Sequence, residues 1–296
     1  MTLDQLRIFV TVAELQHVTR AAEQLGRTQS TVSSAIAALE ARHDVALFNR
    51  VGRGVELTAE GRVFLTHAKA VLAKAREAEQ ALEELSGLDR GEIAIFASQT
   101  IANYWLPPRL AAFATRHPAI ALKLEIGNTA ACAEAVKEGR ADLGFIEGEI
   151  DEPELSASLV ASDELALVVG NAHRWLRRVP DLPQGLTETR WALREAGSGT
   201  RSSFERALER MGFAADRLDV VLELPSNEAL CAAVASGELA TVVSVSVARP
   251  GVESGRLSII PLHLGSRAFR LIRHRERQGS RAVQAFRQEL GVSDKS

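Results

Sequence analysis

Among its 296 residues the chain has two cysteines, two methionines and one tyrosine, and aromatic residues make up only 5%. Cys132 and Cys231 lie far apart, each in alanine-rich apolar surroundings, which excludes a disulfide framework and leaves buried free thiols as the expectation. No apolar run reaches the roughly 18 residues that a membrane span needs. The first residues offer no basic start, apolar stretch or small-residue cleavage site, so cytoplasmic residence is expected. The seven histidines never fall at His-x-x-x-His or Cys/His ligand spacing, and no Gly-x-Ser-x-Gly elbow occurs. Neither glycine pattern of the nucleotide-binding loops is present. These absences point away from an enzyme: no catalytic residue, no metal site and no cofactor are expected. Asp142, Glu147 and Glu149 are read as surface or lobe-crossing carboxylates.

What is present is ordinary in bulk and informative in arrangement. Hydrophobic residues at 46% and charged residues at 25% suffice for real cores, and the length predicts about two domains. The net charge of −3 argues against a uniformly basic nucleic-acid coat. Up to Arg76, however, ten Lys/Arg stand against seven Asp/Glu, so the N-terminal quarter is mildly cationic.

Leu3, Leu6, Phe9, Val10 and Ala13 predict an opening amphipathic helix behind Thr2, ending near Leu15. Thr19 to Leu25 predicts a second, closed by Gly26. A third starts at Thr28, with Val32, Ala35, Ile36 and Leu39 inward and a small polar face of Ser30, Ser33, Ser34 and Ala37 outward. Two short helices about a glycine turn make a helix-turn-helix, whose second helix fits a major groove about 12 Å wide. Gln29 suits a bidentate contact with adenine, and the hydroxyls of Thr28, Ser30, Thr31, Ser33 and Ser34 suit base edges or phosphates. Two short strands around Asn49 to Gly54 form a wing presenting Arg50 and Arg53 to the DNA backbone or a narrow minor groove. The alternative is a small helical bundle with an incidental basic hairpin.

Ala21-Ala22 with Leu25, Thr28-Gln29-Ser30 with Val32-Ser33, Leu39-Glu40, Leu47-Phe48-Asn49-Arg50 and Leu57-Thr58-Ala59-Glu60-Gly61 together resemble the winged helix-turn-helix of LysR-type transcriptional regulators. The resemblance covers Met1 to about Ser86 directly. It implies a ligand-responsive regulator that binds double-stranded promoter DNA, with RNA polymerase as a further candidate partner. Where family members often carry Arg and Pro, this chain has Ser34 and Ser30, so no base preference carries over.

From Thr58 to Ser86, Phe64, Ala68, Val71, Ala75, Ala78, Leu82 and Leu85 follow a heptad seam. Pairing with a second copy buries it, and packing on the chain's own body is the alternative. A two-fold dimer predicts a pseudo-palindromic operator; the resemblance adds that such dimers often pair into tetramers.

Beyond Gly91 the pattern is β-α-β-α-β. Strands are predicted at Glu92 to Ala97, Ile120 to Ile126 and Leu143 to Ile146, with helices at Ile101 to Thr115, interrupted by Pro107 and Pro108, and at Ala130 to Glu138. A parallel sheet follows, with ligands held off the strands' carboxyl ends. Ser98, Gln99, Thr100, Asn128, Thr129, Glu147 and Gly148 lie there. A second half, with strands at Leu165 to Gly170 and Thr241 to Val247, carries Gly197-Ser198-Gly199-Thr200-Arg201 before a helix predicted at Ser202 to Met211. That glycine-flexible turn can surround an anion at a helix start, or serve only as an ordinary cap. A further helix is predicted at Ala229 to Ser236, and a strand near Phe269 to His274 and a helix at Ala282 to Leu290 return to the first half.

The predicted organisation is therefore multidomain α+β. A winged helix-turn-helix (1–58) and a linker and dimerisation helix (59–90) precede a two-lobed α/β effector domain, with lobe I at 91–162 and 267–296 and lobe II at 163–266. This layout resembles the LysR effector domain and its periplasmic-binding-protein type II architecture. Gly197 to Arg201 resembles the form in branches that include carbon-fixation and sulfur-metabolism regulators, which implies a small oxyanion or carboxylate effector between the lobes. A transport solute-binding protein shares the lobes but has no use for the helix-turn-helix.

Overall fold

The computed structural model describes residues 1–52, 54–85 and 91–292. Arg53, the end of the expected linker (86–90) and the side chain of Leu85 lie outside the described residues. The chain divides into two compact units, Met1–Leu88 and Asp89–Ser296.

In the first unit, α1 (Leu3–Leu15) starts on a reciprocal cap: the Thr2 hydroxyl accepts from the Gln5 amide, and the Gln5 side chain accepts from the Thr2 N–H. α2 (Val18–Gln24) begins one residue earlier than Thr19, because the His17 ring accepts from the Arg20 amide and caps it. Gly26, at φ 63°, makes the turn. α3 (Gln29–His43) then starts where Thr28 Oγ1 accepts from the Thr31 amide. Val32, Ile36 and Leu39 are buried against Ile8, Val12, Ala21 and the neighbouring core.

β1 (Phe48–Val51) and β2 (Gly54–Leu57) pair antiparallel, with Arg50 opposite Val55. Two anchors fix this hairpin. The Glu40 carboxylate of α3 accepts from the Leu47 and Phe48 amides at 2.7 and 3.1 Å, and the Gln16 carbonyl accepts from the Val55 amide at 3.0 Å. The wing is thus held by the same helix whose other face is open. α4 (Ala59–Leu85) follows. Its first turns do not supply a free seam: the Phe64 ring lies 4.8 Å from that of Phe9, and Ala68 is buried with Leu6 and Leu39. The expected pairing stripe therefore loses Phe64 and Ala68 to the unit's own core, since an apolar face lying over Phe9 buries at once without a partner. Val71, Ala78 and Leu82 remain exposed, and Ala75 is half-buried.

In the second unit, β3 (Gly91–Ser98) leads through a wide helical turn at Ile101–Trp105 into α5 (Pro107–Arg116). β4 (Ile120–Gly127), α6 (Thr129–Lys137) and β5 (Leu143–Glu147) complete the alternation, and β3 pairs parallel with both β4 and β5. β6 (Leu155–Gly170) is one 16-residue strand, where a strand was expected only from Leu165. Its first part belongs to lobe I and its last part to lobe II. Lobe II continues with β7 (Arg190–Arg194), α7 (Gly199–Arg210), β8 (Asp219–Leu224), α8 (Asn227–Ala235), β9 (Leu239–Ser244), α9 (Val245–Glu253) and β10 (Leu257–Ile260). β11 (Ser266–His274) and α10 (Arg281–Glu289) return to lobe I.

The strand order β4-β3-β5-β11-β6-β9-β7-β8, with β10 on β6, makes β6 and β11 the two crossing strands. They run antiparallel, and Asp163 faces Arg267 in register at the changeover. Around lobe I, Phe113, Phe145 and Phe286 pack edge to face; around lobe II, Trp175, Trp191 and Phe204 form the centre. Each such buried ring contributes roughly 1.5–3 kcal/mol. The stiff lobes carry the loops between them.

Three expectations are corrected. α7 begins at Gly199, three residues before the predicted Ser202, so Thr200 and Arg201 lie in its first turn. The predicted strand Thr241 to Val247 ends at Ser244, whose hydroxyl accepts from the Ser246 amide and opens α9. β7, β8 and β10 are additional strands. The architecture is a winged helix-turn-helix with a long helix, followed by a two-lobed α/β domain of periplasmic-binding-protein type II form.

Candidate DNA-reading face and interlobe site

On α3 the side chains of Gln29, Ser30, Thr31, Ser33 and Ser34 are all exposed. Thr28 Oγ1 lies 2.9 Å from Ser30 Oγ and 2.8 Å from Thr31 Oγ1, so the three hydroxyls form one cluster around the helix start. Thr28 is mainly a cap. Arg50 is exposed on β1, on a hairpin fixed to the same helix by Glu40. Arg27, beside the turn, is held by Asp4 at 2.8 Å. The exposed face of α3 is small, uncharged and rich in donors and acceptors, which is the chemistry that reads base edges.

Between the lobes, strand ends and helix starts bring most of the predicted effector residues together. From lobe I come Ser98, Gln99 and Thr100 at the end of β3, Asn128 and Thr129 at the start of α6, and Glu147 at the end of β5. From lobe II come Ser198, Gly199 and Thr200 at the start of α7. Gln99 Oε1 accepts from the Asn227 amide at 2.7 Å, and Thr100 Oγ1 accepts from Asn227 Nδ2 at 3.1 Å. Asn128 caps α6 by accepting from the Ala131 amide and donates to Glu195 at 3.2 Å, while the Gly197 carbonyl accepts from the Ala130 amide. Tyr104 donates to Glu228 at 3.1 Å. Both lobes are thus laced across the cleft.

At the centre lies a charged knot that the sequence reading did not assemble. The Arg267 guanidinium donates to Asp163 at 2.8 Å, to Glu147 at 3.1 Å and to Thr200 Oγ1 at 2.9 Å. Thr200 in turn donates to Glu147 at 3.4 Å, and Ser244 donates to Asp163 at 2.7 Å. Every member is almost fully buried. Around the knot, four buried oxygens have no hydrogen-bond partner: Ser98 Oγ, Thr129 Oγ1, Ser198 Oγ and Glu147 Oε1. Buried polar groups are ordinarily satisfied, so these four oxygens keep bonding capacity in reserve.

Two predicted residues are not part of this arrangement. Arg201 spends its guanidinium on Glu205 at 2.9 Å, Glu223 at 2.6 Å and the Arg194 carbonyl, because α7 starts earlier than expected and turns it toward β7 and β8. Gly148, at φ 80°, passes behind the knot and faces Arg206 and Ser203. Conversely Arg267, Asp163, Asn227 and Arg194 were missed. Arg194 donates to Asn227 at 3.0 Å and to Glu195. Burial pushes the Glu195 carboxyl up, but the hydrogen bonds and charge of Arg194, together with hydrogen bonds from its own backbone amide and from Asn128, outweigh this and hold it below its usual range. Only the charged residues inside the crossing strands, Asp163 and Glu164 in β6 and three arginines in β11, hinted at Asp163 and Arg267. Both cysteines are free, and burial raises the Cys132 thiol to about 12 and that of Cys231 to about 11. Among the described residues no helix is long and apolar enough to cross a membrane, and no cluster of His, Cys, Asp and Glu is placed to hold a metal.

Known proteins match along the whole chain. The family described as "Bacterial regulatory helix-turn-helix protein, lysR family" matches residues 3–62, and "LysR substrate binding domain" matches residues 86–292. The chain is 34% identical to the uncharacterized HTH-type transcriptional regulator YeiE of Escherichia coli (strain K12), over 97% of this chain and 96% of that protein. It is 34% identical to a probable RuBisCO transcriptional regulator of Trichormus variabilis, over 98% of this chain and 87% of that one. The solved structure of full-length CbnR complexed with its target DNA shares the fold at a TM-score of 0.69 and 22% identity, covering 98% of this chain and 99% of that chain. Both domains and the full-length relatives agree: the chain belongs to the LysR family of helix-turn-helix transcriptional regulators.

Proposed function

We propose that this regulator binds a pseudo-palindromic promoter site as a homodimer, or as a pair of dimers, in the cytoplasm, and that a small anion held between its lobes sets its output. The exposed Gln29 to Ser34 face carries the DNA half of this reading: it inserts into the major groove while Arg50 and Arg53 engage the backbone beside it. The four unpartnered oxygens around Arg267 carry the sensing half. Three are hydroxyls able to donate to an oxyanion, and the α7 start adds the positive end of a 12-residue helix. Arg267 already holds two carboxylates, so an arriving oxyanion must take it from Glu147. That exchange is what makes the ligand's affinity differ between two lobe arrangements, the condition for any effect on output. The chain acts by binding, with no chemical turnover.

Electrophoretic shift of the chain's own promoter-region fragments tests the DNA half: Gln29→Ala is expected to cost about 1–3 kcal/mol of specificity, and undiminished specific binding in that variant removes α3 as the reader. Calorimetry with a panel of oxyanions and carboxylates tests the sensing half. Ser98→Ala should weaken the effective ligand, and an unchanged affinity there moves the sensor elsewhere.

A further inference from the structure

Beside the knot, further along the α7 face that Gly199 presents to the cleft, lies a second cavity of about 200 Å³, bordered by Arg267. Ser203, Arg206 and Arg210 line it from one face of α7, at spacings of three and four residues. Leu165 and Leu264 give it an apolar floor. Two glycines shape it. A Cβ at Gly148 would meet an Arg206 guanidinium nitrogen at 2.6 Å and Ser203 Oγ at 3.4 Å, and a Cβ at Gly265 would meet an Arg210 nitrogen at 3.4 Å. Both glycines have φ of 80°, so a side chain is strained there as well as in the way.

The polar groups of this cavity are incompletely used. Ser203 is 7% exposed and its hydroxyl is buried without a partner. Arg206 has no acidic partner among the described residues, and Arg210 donates only to the Leu264 carbonyl, at 3.2 Å. Arg267, which borders the cavity, is already neutralised by Asp163 and Glu147. Glu149 sits at the rim, 3.7 Å from Arg270, which offsets it. One half-buried guanidinium without an acidic partner, Arg206, and one buried unpartnered hydroxyl, Ser203, therefore line a pocket somewhat larger than the roughly 150 Å³ that holds a benzene ring, and the solvent-exposed Arg210 adds a second cation.

We propose that this cavity is a second effector site, distinct from the interlobe one, and that it takes a small dianion, a phosphate monoester or a short dicarboxylate. Charge-assisted bonds from planar guanidinium groups suit either head group. The site touches α7 of lobe II, the loop after β5 of lobe I and the start of β11, so its occupant bridges the joint between the lobes. It stands whether or not an anion binds in the cleft.

Titration calorimetry of the full chain with inorganic phosphate and with succinate, against acetate at matched ionic strength, tests this. Saturable binding of at least one dianion is expected, weakened about tenfold or more in Arg206→Gln and again in Arg210→Gln, and less in Ser203→Ala. Phosphate alone binding assigns a phosphate ester; succinate alone assigns a dicarboxylate. The same titration in Ser98→Ala separates the two sites. Affinity that falls in Ser98→Ala but survives Arg206→Gln overturns the proposal, as does the absence of saturable binding by either dianion. Because Arg206 makes no ion pair to lose and is only half-buried, the unfolding midpoint should stay put in Arg206→Gln. Should Arg206→Gln nevertheless unfold the domain, Ser203→Ala decides: unchanged dianion affinity there also overturns the proposal.

Discussion

Arg267 is a single side chain asked to hold two strands and two lobes. Its side chain is 3% exposed, and it donates to Asp163, Glu147, Thr200 and Thr100. Burying three charges together gains little over an apolar filling, but removing one partner strands the others. Arg267→Met should therefore destabilise the effector unit by about 3–5 kcal/mol, read as a lower urea midpoint, and a loss within error of zero would show that Glu147 and Asp163 find other partners. His173 makes a different kind of demand. Its Nδ1 accepts from the Trp175 amide and its Nε2 meets Thr189 at 3.0 Å. Burial, then the neighbouring Arg174, lowers its pKa from 6.5. The unfolded chain thus takes a proton first as the pH drops. The stabilisation is complete above about 6.5 and fades as the pH falls from there toward the lower folded value. In His173→Asn, which retains a cap acceptor, that part of the slope of stability against pH between neutrality and pH 5 should vanish; an identical slope in both proteins assigns the titration to another group.

At the scale of elements, the start of α7 decides how the lobes meet. A Cβ on Gly199 would lie 2.5 Å from Thr129 Oγ1, 2.8 Å from Glu147 Cβ and 2.9 Å from the Glu147 carbonyl. The last is backbone and cannot move without its lobe. Gly199→Ala should therefore part the lobes and speed hydrogen exchange at the Asn227 amide, which Gln99 holds across the cleft; unaltered protection there would show that the cleft tolerates the methyl. α4 makes the complementary case, in which exposure is the signal. Val71 is 42% and Leu82 68% exposed on the proposed seam of α4, so Val71→Glu with Leu82→Glu should yield monomers in sedimentation, and an intact dimer would place the pairing surface elsewhere. Much of this was legible beforehand where the signal is local: Thr2, Gly26 and Thr28 punctuate the first three helices, and the βαβ alternation of lobe I follows from period alone. Where the deciding contact is distant, the sequence is silent. Thr241 to Val247 is uniformly suited to a strand, and only the Ser244 cap turns it into α9. The five-residue β7 is buried by neighbours that are far away in the chain. The knot pairs Arg267 with Asp163 and Glu147 across more than a hundred positions, so the residue types were visible and their meeting was not.

For the molecule as a whole, an acidic chain must find an anionic polymer. Its net charge is −3, yet its first 76 residues carry ten Lys/Arg against seven Asp/Glu, so the proposed attraction to DNA rests on this mildly cationic N-terminal quarter. Phosphate contacts of that kind release counterions and make binding fall with salt, whereas base-edge contacts shift affinity without changing the slope. The two parts of the proposed interface can therefore be separated. If Arg50 meets one phosphate per protomer, Arg50→Ala should flatten the plot of log K against log salt by about one per protomer, hence by about two for a dimer on its paired half-sites. Gln29→Ala should lower affinity for the promoter alone and leave the slope as it was. A change of about one for Arg50→Ala means that only one protomer touches DNA, which contradicts a symmetric site; no change there and in Arg50→Ala with Arg53→Ala means that the wing does not reach the backbone, and the exposed face of α3 must then bind alone.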